Sequence, residues 1–497
     1  MLRSLLLSVS TLTALASCTG VNVVRLAVDG RTDNPLGLDD VSPVLTWQIV
    51  QTGDCSDAIC PGDKQTAYGV QAAKSIERLG SGSLCWTTGR VNSDVQQVRF
   101  TGSLASREKI AWRVRVTDAL NNTSAWSETS TWTVGLLEQS DWGEARWIDY
   151  PDRTENLPLP IFARQFNVPE GKSISEARFY LAGIGLHHAT VNGQEVTDEV
   201  LAPGYSNWQL STEYRTYDIT EALSSGTNAI GVSLGNGFAY NRRSMRNPAV
   251  GRNSPYAWWQ SQLKGNSTLG ADVQAGATTD ITNTTGYTLG ATINIDTGNG
   301  GDNLESRVIT AVGNSTLGNS SISFTPALSL QHSAGAKVTG SGNNIAATDP
   351  SAGAAVLPRF IARLEVVYID NTTQAIVSDR SWRTTLGPLI TDAFYAGSDF
   401  DARAEPAGWD TPSADLNATG WVAAGFAPPP NLATKLVARI AEVIKVQERF
   451  SPISVTNPAP GTRGGILLEV IFEIRVEMGI VRRSCIALQT SNESLWM

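Results

Sequence analysis

The hydrophobic positions of this 497-residue chain follow the pattern of β-strands. Residues 109–118 alternate strictly between an apolar face and a polar face that carries two arginines, which is typical of a half-buried strand. A turn and a return strand that includes Trp126 and Trp132 are expected to follow. With further apolar runs at 44–50 and 67–73, the pattern predicts a β-sandwich of fibronectin or immunoglobulin type. Its predicted range is 22–137.

A second β-domain is predicted over residues 140–410. Asn192 and Gly193 lie between two short apolar strands, and this dipeptide is the strongest local signal for a hairpin turn. A second hairpin turn is predicted at Asp370 and Asn371, between two runs of alternating hydrophobicity. No long amphipathic helix is predicted in this domain.

Residues 260–356 break the strand pattern, because Gly, Ser, Thr, Asn and Ala dominate and Trp is absent. This composition predicts a glycosylated and loosely packed insertion, with bounds at about 247–357, between two strands of the second domain. The alternative is a separate small β-module, which short β-prone runs such as 289–295 favour.

Composition and charge exclude some functions. The net charge of −9 argues against general nucleic-acid binding, which needs clustered Lys and Arg. Only 3 His accompany 14 Trp, and the 5 Cys include no C-x-x-C pair, so no metal site and no cofactor are predicted.

The cysteines Cys55 and Cys60 are predicted to form a local disulfide. Cys85 is an alternative partner for either, and separate free thiols are a further alternative.

The first 18 residues resemble a secretory signal peptide, with a basic start, a short apolar stretch and a small-residue cleavage pattern at Ala14–Ala16. They predict secretion, and a lipoprotein anchored at Cys18 is the alternative. No later stretch is predicted to span a membrane.

Sequons fit a eukaryotic secretory route, although chance also produces them in Asn-rich segments. The predicted N-glycosylation sites are Asn121, Asn266, Asn283, Asn314, Asn319, Asn371 and Asn417.

Several motifs in one order resemble a known family. Between residues 177 and 237 the chain contains ARFYLAGIG, VNG, LAPGY, YRTYDIT and NAIGVSLGNG. The motifs NPLG (34–37) and WRVRV (112–116) lie upstream of this stretch, and DAR (401–403) and GWD (408–410) lie downstream of it. Together they resemble the N-terminal region of the α-L-rhamnosidases of glycoside hydrolase family 78. Residues 428–461 resemble the start of that family's next β-domain.

The resemblance implies an all-β region: a fibronectin- or immunoglobulin-like sandwich, then a jelly-roll β-sandwich with a long insertion, then an incomplete β-domain. It also implies hydrolysis of terminal α-L-rhamnose with inversion, on rhamnose-containing glycosides or plant polysaccharides. The family's catalytic (α/α)6 barrel has no counterpart in this sequence. No catalytic residue can therefore be carried over, and the chain as given is expected to be inactive.

The resemblance ends at Gly461, and residues 462–497 match nothing in the family. We expect an aberrant tail that arises from a gene-model error, with a genuine short isoform as the alternative. Its many β-branched residues predict strands, although some apolar positions also fit a helix.

Few side chains suggest catalysis without the barrel. His187 and His188 are adjacent on a predicted strand, so they point to opposite faces, and one buried and one exposed histidine are expected. Solvated surface acids are expected at Glu195, Asp198, Glu199, Asp399 and Asp401.

The alternative function is a non-catalytic carbohydrate-binding or structural β-sandwich protein. Exposed aromatic side chains would then bind sugar, although filling of the core is the competing interpretation for most of them. The candidates are Tyr205, Trp208, Tyr240, Trp258 and Trp259.

Overall fold

The computed structural model is almost entirely β-structure, which confirms the predicted all-β class. The chain divides into two compact units, residues 1–138 and 139–497. Apart from short internal gaps, the structure describes residues 20–52, 64–237, 266–312, 321–340, 357–446, 454–456, 465–476 and 479–490.

The described residues of the first unit form two antiparallel sheets and one short helix, α1 (Ile76–Ser81). Its strands are β1 (Gly20–Val28), β2 (Val44–Thr52), β3 (Gln65–Ala73), β4 (Trp86–Thr87), β5 (Val91–Asn92), β6 (Gln97–Arg99), β7 (Lys109–Asp118) and β8 (Ser130–Thr133). One sheet has the order β1-β2-β6, and the other has the order β4-β3-β7-β8 with β5 also paired to β3. Both sheets contribute to a single apolar core, as in an immunoglobulin-like sandwich.

Strand β7 has the buried apolar face that the sequence predicted, because Ile110, Trp112, Val114 and Val116 are all fully buried. The opposite face is less polar than predicted, since Ala111 and Thr117 are buried as well. The predicted return strand is only partly correct. Strand β8 includes Trp132, but Trp126 lies in an irregular segment before it. In that segment the hydroxyls of Ser124 and Ser127 accept hydrogen bonds from backbone N–H groups of β7, so side chains replace part of the backbone ladder.

The second unit contains a β-sandwich whose strands come from both sides of a small inserted sheet. The strands before the inserted sheet are β9 (Ile148–Asp149), β10 (Pro160–Val168), β11 (Ile174–Ile184), β12 (Leu186–Val191), β13 (Gln194–Glu195), β14 (Ser211–Asp218) and β15 (Gly226–Gly235). The inserted sheet contains β16 (Asn266–Thr268), β17 (Thr292–Ile295), β18 (Glu305–Val312), β19 (Ile322–Thr325) and β20 (Lys337–Gly340). The strands after it are β21 (Arg359–Tyr368), β22 (Thr373–Val377), β23 (Arg383–Leu386), β24 (Leu389–Ala393), β25 (Gly397–Phe400), β26 (Val422–Ala423), β27 (Gly425–Phe426) and β28 (Lys435–Ala438). The described residues of this unit include short 3-10 helices at Gln139–Trp142, Thr220–Ala222 and Ala402–Ala404.

The sandwich has one six-stranded and one seven-stranded sheet. The first has the order β13-β12-β15-β10-β23-β26, and the second has β27-β9-β21-β11-β14-β28 with β22 paired to β21. Strands β24 and β25 form a separate hairpin. Both sheets contribute to a common core, in which Phe162 meets Phe360 edge to face at 5.0 Å between ring centroids. The predicted jelly-roll sandwich therefore has a continuous interior.

Both predicted hairpins are confirmed. Strands β12 and β13 are joined at Asn192 (φ 52°) and Gly193 (φ 79°), the two positive φ values that a type I′ turn requires. Strands β21 and β22 are joined by the turn that contains Asn371 (φ 62°).

The predicted domain boundaries at 410 and 428 are wrong. Strands β26 and β27 pair with β23 and β9, and β28 pairs in parallel with β14, so all three belong to the sandwich. The sequence pattern places only β28 in a new domain, whereas β26 and β27 lie within 411–427, which it assigns to neither domain. Their partners are remote in sequence, and β28 covers an edge of β14 that would otherwise leave backbone groups unpaired.

The insertion is not loosely packed, and the alternative of a small β-module is the correct one. Strands β16–β20 form a five-stranded antiparallel sheet in the order β16-β20-β17-β18-β19. Few apolar residues are needed to form the core of this sheet, because they occupy inward positions on neighbouring strands. The core includes Ile293, Ile295, Ile309, Ile322, Phe324 and Val338, each exposed by 2% or less.

The last described strands are β29 (Ser454–Thr456), β30 (Gly465–Val476) and β31 (Gly479–Thr490). Strand β30 pairs with both of the others in antiparallel fashion. The β-branched pattern thus corresponds to strands and not to the alternative helix.

Candidate functional site

Four polar side chains converge at one end of the jelly-roll sandwich. His187 on β12 alternates with Ala189 and Val191, which both belong to the core, so its ring points inward. On the facing sheet, Arg215 of β14 alternates in the same way with Tyr217. Glu199, in the connection from β13 to β14, and Glu213 of β14 complete this group. We call these four residues the end cluster.

The end cluster is organised around a buried ion pair. The Nε of Arg215 donates to both carboxylate oxygens of Glu199, at 2.8 and 3.1 Å, and its Nη1 donates to Glu213 at 3.0 Å. The side chains of Arg215 and Glu199 are only 6% and 2% exposed. The expectation of a solvated Glu199 is therefore wrong, because a guanidinium from the adjacent strand compensates the burial of its charge.

The other predicted surface acids have local roles. The side chains of Glu195 and Asp198 are 69% and 70% exposed, as expected. Asp399 is half-buried and accepts a hydrogen bond from Thr391, and Asp401 caps a short helix. None of these four joins the end cluster in the contacts of the described residues.

His187 is buried, and neither of its ring nitrogens has a hydrogen-bond partner among the described residues. Its ring packs against Gly183, where an added Cβ would lie 2.5 Å from Nδ1. Burial, with the nearby positive charge of Arg215, lowers the pKa of His187 to about 3. The ring is thus neutral at neutral pH, whereas His188 is exposed beside Glu195, and the predicted division between the two histidines is confirmed.

A second buried ionic group lies in the inserted sheet. Glu305 accepts hydrogen bonds from Nε2 of His332 at 2.8 Å, from the backbone N–H groups of Ser329 and Leu330, and from Arg307. Burial raises the pKa of Glu305, but these hydrogen bonds outweigh it and the net pKa is lowered. No local sequence pattern indicates this group, because its members are up to 27 residues apart.

The carboxylates of both groups accept hydrogen bonds from guanidinium groups, and the pKa of Glu305 is lowered. A general acid for glycoside hydrolysis needs the opposite, a carboxyl whose pKa is raised. Among the described residues of the second unit, every resolved carboxyl shift is downward. These carboxyls are Asp218, Glu305, Asp370 and Asp401. The groups therefore fit a structural role better than proton transfer.

Many predicted site residues lie outside the described part of the chain. This applies to the signal segment with Cys18, to the disulfide candidates Cys55 and Cys60, and to five aromatic candidates and three sequons. The aromatic residues are Tyr205, Trp208, Tyr240, Trp258 and Trp259, and the sequons are Asn283, Asn314 and Asn319. Asn266 lies in β16, while Asn121, Asn371 and Asn417 are exposed, and Cys85 carries an exposed thiol.

The described residues form neither a metal-binding group nor a membrane-spanning helix. They contain no group of three or more His, Cys, Asp or Glu side chains able to hold a metal ion. None of their helices has the length and apolar character needed to cross a membrane.

An immunoglobulin-like sandwich followed by a jelly roll with a buried ionic end defines a class of multidomain β-protein. Residues 23–138 match the family model "Rha78A-like, N-terminal immunoglobulin domain". Residues 172–296 and 341–448 match the model "Alpha-L-rhamnosidase N-terminal domain". These matches place the two domains in the N-terminal region of the α-L-rhamnosidases of glycoside hydrolase family 78. The second match leaves only 297–340 unmatched inside the domain, a shorter stretch than the predicted insertion.

Individual relatives agree with this assignment. An α-L-rhamnosidase of Formosa agariphila is 32% identical over 238 residues, which are 43% of this chain and 24% of the relative. One from an Alteromonas species is 25% identical over 448 residues, which are 86% of this chain and 36% of the relative. The chain thus spans about a quarter to a third of the length of these two proteins.

Solved structures share the fold. The α-L-rhamnosidase of Dictyoglumus thermophilum has a TM-score of 0.59 at 24% identity and covers 90% of this chain and 38% of its own. The native enzyme of Aspergillus terreus has a TM-score of 0.57 at 18% identity and covers 96% of this chain and 45% of its own.

Proposed function

We propose that this chain is the non-catalytic N-terminal region of a secreted α-L-rhamnosidase. The whole enzyme would remove terminal α-L-rhamnose, with inversion, from rhamnose-containing glycosides or plant polysaccharides. The observation that carries the proposal is the pair of rhamnosidase N-terminal family models matched in chain order. In this assignment the jelly roll is a rigid support, and its end cluster closes one end of the sandwich.

The chemistry of the described carboxyls supports a non-catalytic role. An inverting hydrolase needs one protonated and one ionised carboxyl on opposite sides of the scissile bond. Glu199 accepts hydrogen bonds from Arg215, and Glu305 accepts them from His332 and Arg307, contacts that lower the pKa of Glu305. We therefore assign the reaction to carboxylates outside the described domains.

The purified chain is expected to release no nitrophenol from p-nitrophenyl α-L-rhamnoside above the enzyme-free blank. The reason is that every resolved carboxyl shift among the described residues of the second unit is downward, while Asp29 of the first unit, whose pKa burial raises, accepts a hydrogen bond from the backbone N–H of Val44 at 2.7 Å. The assay is a time course at several pH values, with a full-length α-L-rhamnosidase as the positive control. Turnover that purifies with the chain and is lost in an Asp or Glu variant of it would contradict the proposal.

Secretion and glycosylation are part of the same proposal, and the position of Asn371 supports them. Its side chain is exposed at the tip of the β21–β22 hairpin, where a glycan would remain in solvent. Expression through a yeast secretory pathway should yield a protein whose gel mobility increases after enzymatic deglycosylation.

The Asn371 site can be tested with two variants. Asn371→Gln and Thr373→Ala both destroy the sequon, but the second keeps the asparagine whose positive φ forms the turn. Both should lose the same single glycan, detected by mass spectrometry of the tryptic peptide. An unmodified Asn371 in the secreted wild-type protein would contradict this assignment.

A further inference from the structure

We propose that the immunoglobulin-like unit carries a saccharide-binding groove beside Trp126. The groove has a volume of about 560 Å³, within the range of small-ligand sites. It is formed entirely by the first unit, between residues 22–26 of β1, Thr32 and Asn34 on one side and residues 125–130 on the other. The proposal goes beyond the function proposed above, because it concerns binding and does not depend on hydrolysis.

The lining of the groove fits a polyhydroxylated ligand. Its polar members are mostly uncharged, and the single Arg25 is balanced by the single Glu128. A sugar needs many short-range donors and acceptors together with an apolar surface for its C–H groups. The uncharged polar lining residues are Asn22, Thr32, Asn34, Ser127, Thr129 and Ser130, and the apolar ones include Val23, Val24 and Leu26.

One hydrogen-bond donor is already held in place at the groove. The Oδ1 of Asn34 accepts hydrogen bonds from the Ser130 hydroxyl at 3.1 Å and from the backbone N–H of Thr131 at 2.9 Å. These two contacts fix the plane of the carboxamide. Its Nδ2 group makes no hydrogen bond with the described residues, so it can donate to a ligand without losing a bond inside the protein.

Trp126 supplies a fixed aromatic surface. Its partly exposed ring lines the groove, and the guanidinium groups of Arg113 and Arg115 lie 4.8 and 4.6 Å from the ring centroid. Both arginines belong to β7, so cation–π contacts connect the ring to a central strand. A ring held in this way loses little conformational entropy when a ligand packs on it.

The geometry favours a saccharide over an extended peptide. A peptide would have to add as a strand to the free edge of β1. That edge is irregular, because the β1–β2 register shifts between Val24 and Ala27 and Arg25 has a φ of 50°. A bulged strand cannot continue a regular ladder.

The test is affinity electrophoresis of the full chain in native gels. Each gel contains one polysaccharide: a rhamnogalacturonan, a homogalacturonan, a xylan or a β-glucan. We expect at least one of them to retard the wild-type protein. Trp126→Ala should weaken that binding about tenfold. Asn34→Asp keeps the two accepted hydrogen bonds but removes the donor, and it should also weaken binding severalfold.

The matched control is Trp86→Phe, a substitution in the same unit at a tryptophan outside the groove lining, and it should bind like the wild type. Thermal unfolding of each variant shows whether it is folded. Should Trp126→Ala unfold, Asn34→Asp alone decides the assignment.

Three outcomes would overturn the proposal: no retardation by any polysaccharide, equal binding by wild type and both groove variants, or retardation that a strand-forming (Thr-Val)4 peptide abolishes. The last would assign the groove to a peptide. Because no turnover is measured, a failure here is separate from a failure of the proposed rhamnosidase activity.

Discussion

Arg215→Leu is expected to lower the free energy of unfolding of the jelly roll by about 3–5 kcal/mol, the typical cost of removing one partner from a buried ion pair. The substitution leaves Glu199, which is 2% exposed, and Glu213 without their common cation. The measurement is urea-induced unfolding followed by circular dichroism, at matched protein concentration.

A double variant separates the ion pair from simple packing. Arg215→Leu combined with Glu199→Leu should be more stable than Arg215→Leu alone, because no unpaired charge is buried at position 199. The exposed pair of Lys172 and Asp370 is the matched control, and Lys172→Ala should cost at most about 1 kcal/mol. Equal losses for Arg215→Leu and Lys172→Ala would show that the end cluster contributes no more than a surface contact.

Gly185→Ala is expected to destabilise the jelly roll by about 3 kcal/mol or more, from a strained φ together with a steric clash. Gly185 lies between β11 and β12 with a φ of +82°. An added Cβ would lie 2.4 Å from the carbonyl oxygen of Gly235 and 3.0 Å from that of Asn236. Both are backbone atoms, so β15 would have to move away from the β11–β12 connection.

Gly171→Ala isolates the conformational part of this effect. Gly171 has nearly the same φ, +80°, but nothing lies within 4 Å of an added Cβ. Gly171→Ala should lower the free energy of unfolding by only about 1–2 kcal/mol, the cost of a left-handed conformation for a residue with a side chain. Thermal unfolding of the two variants side by side gives the difference. If Gly185→Ala is no worse than Gly171→Ala, the close approach of the two backbones has no energetic consequence.

The strands and turns of both domains were predictable because their signals are local. The alternation in β7, the Asn192–Gly193 turn and the Asn371 turn each depend on residues adjacent in sequence. The order of several such motifs also identified the family, since each motif marks a strand or turn that the fold requires. These signals could not show where short strands find their partners, and β28 was therefore assigned to the wrong domain.

The end cluster could not be predicted, although the sequence showed all four residues. Glu199 and Arg215 are 16 positions apart, and the fold brings the carboxylate within hydrogen-bond distance of the guanidinium. Similarly, the core of the inserted sheet consists of a few apolar side chains from distant strands, which its Gly-, Ser- and Thr-rich composition concealed.

The sequence by itself determined the all-β class, the two sandwiches, their principal hairpins and the resemblance to the α-L-rhamnosidases. Only the tertiary structure decided which acids are buried, that the insertion is a folded sheet, that β28 joins the jelly roll, and that Asn34 and Trp126 share one groove. The physical reason is the distance in sequence over which each interaction acts. Backbone preference and hydrophobic alternation act between neighbours in the chain, whereas burial, ion pairing and groove formation depend on contacts between strands that are far apart in sequence.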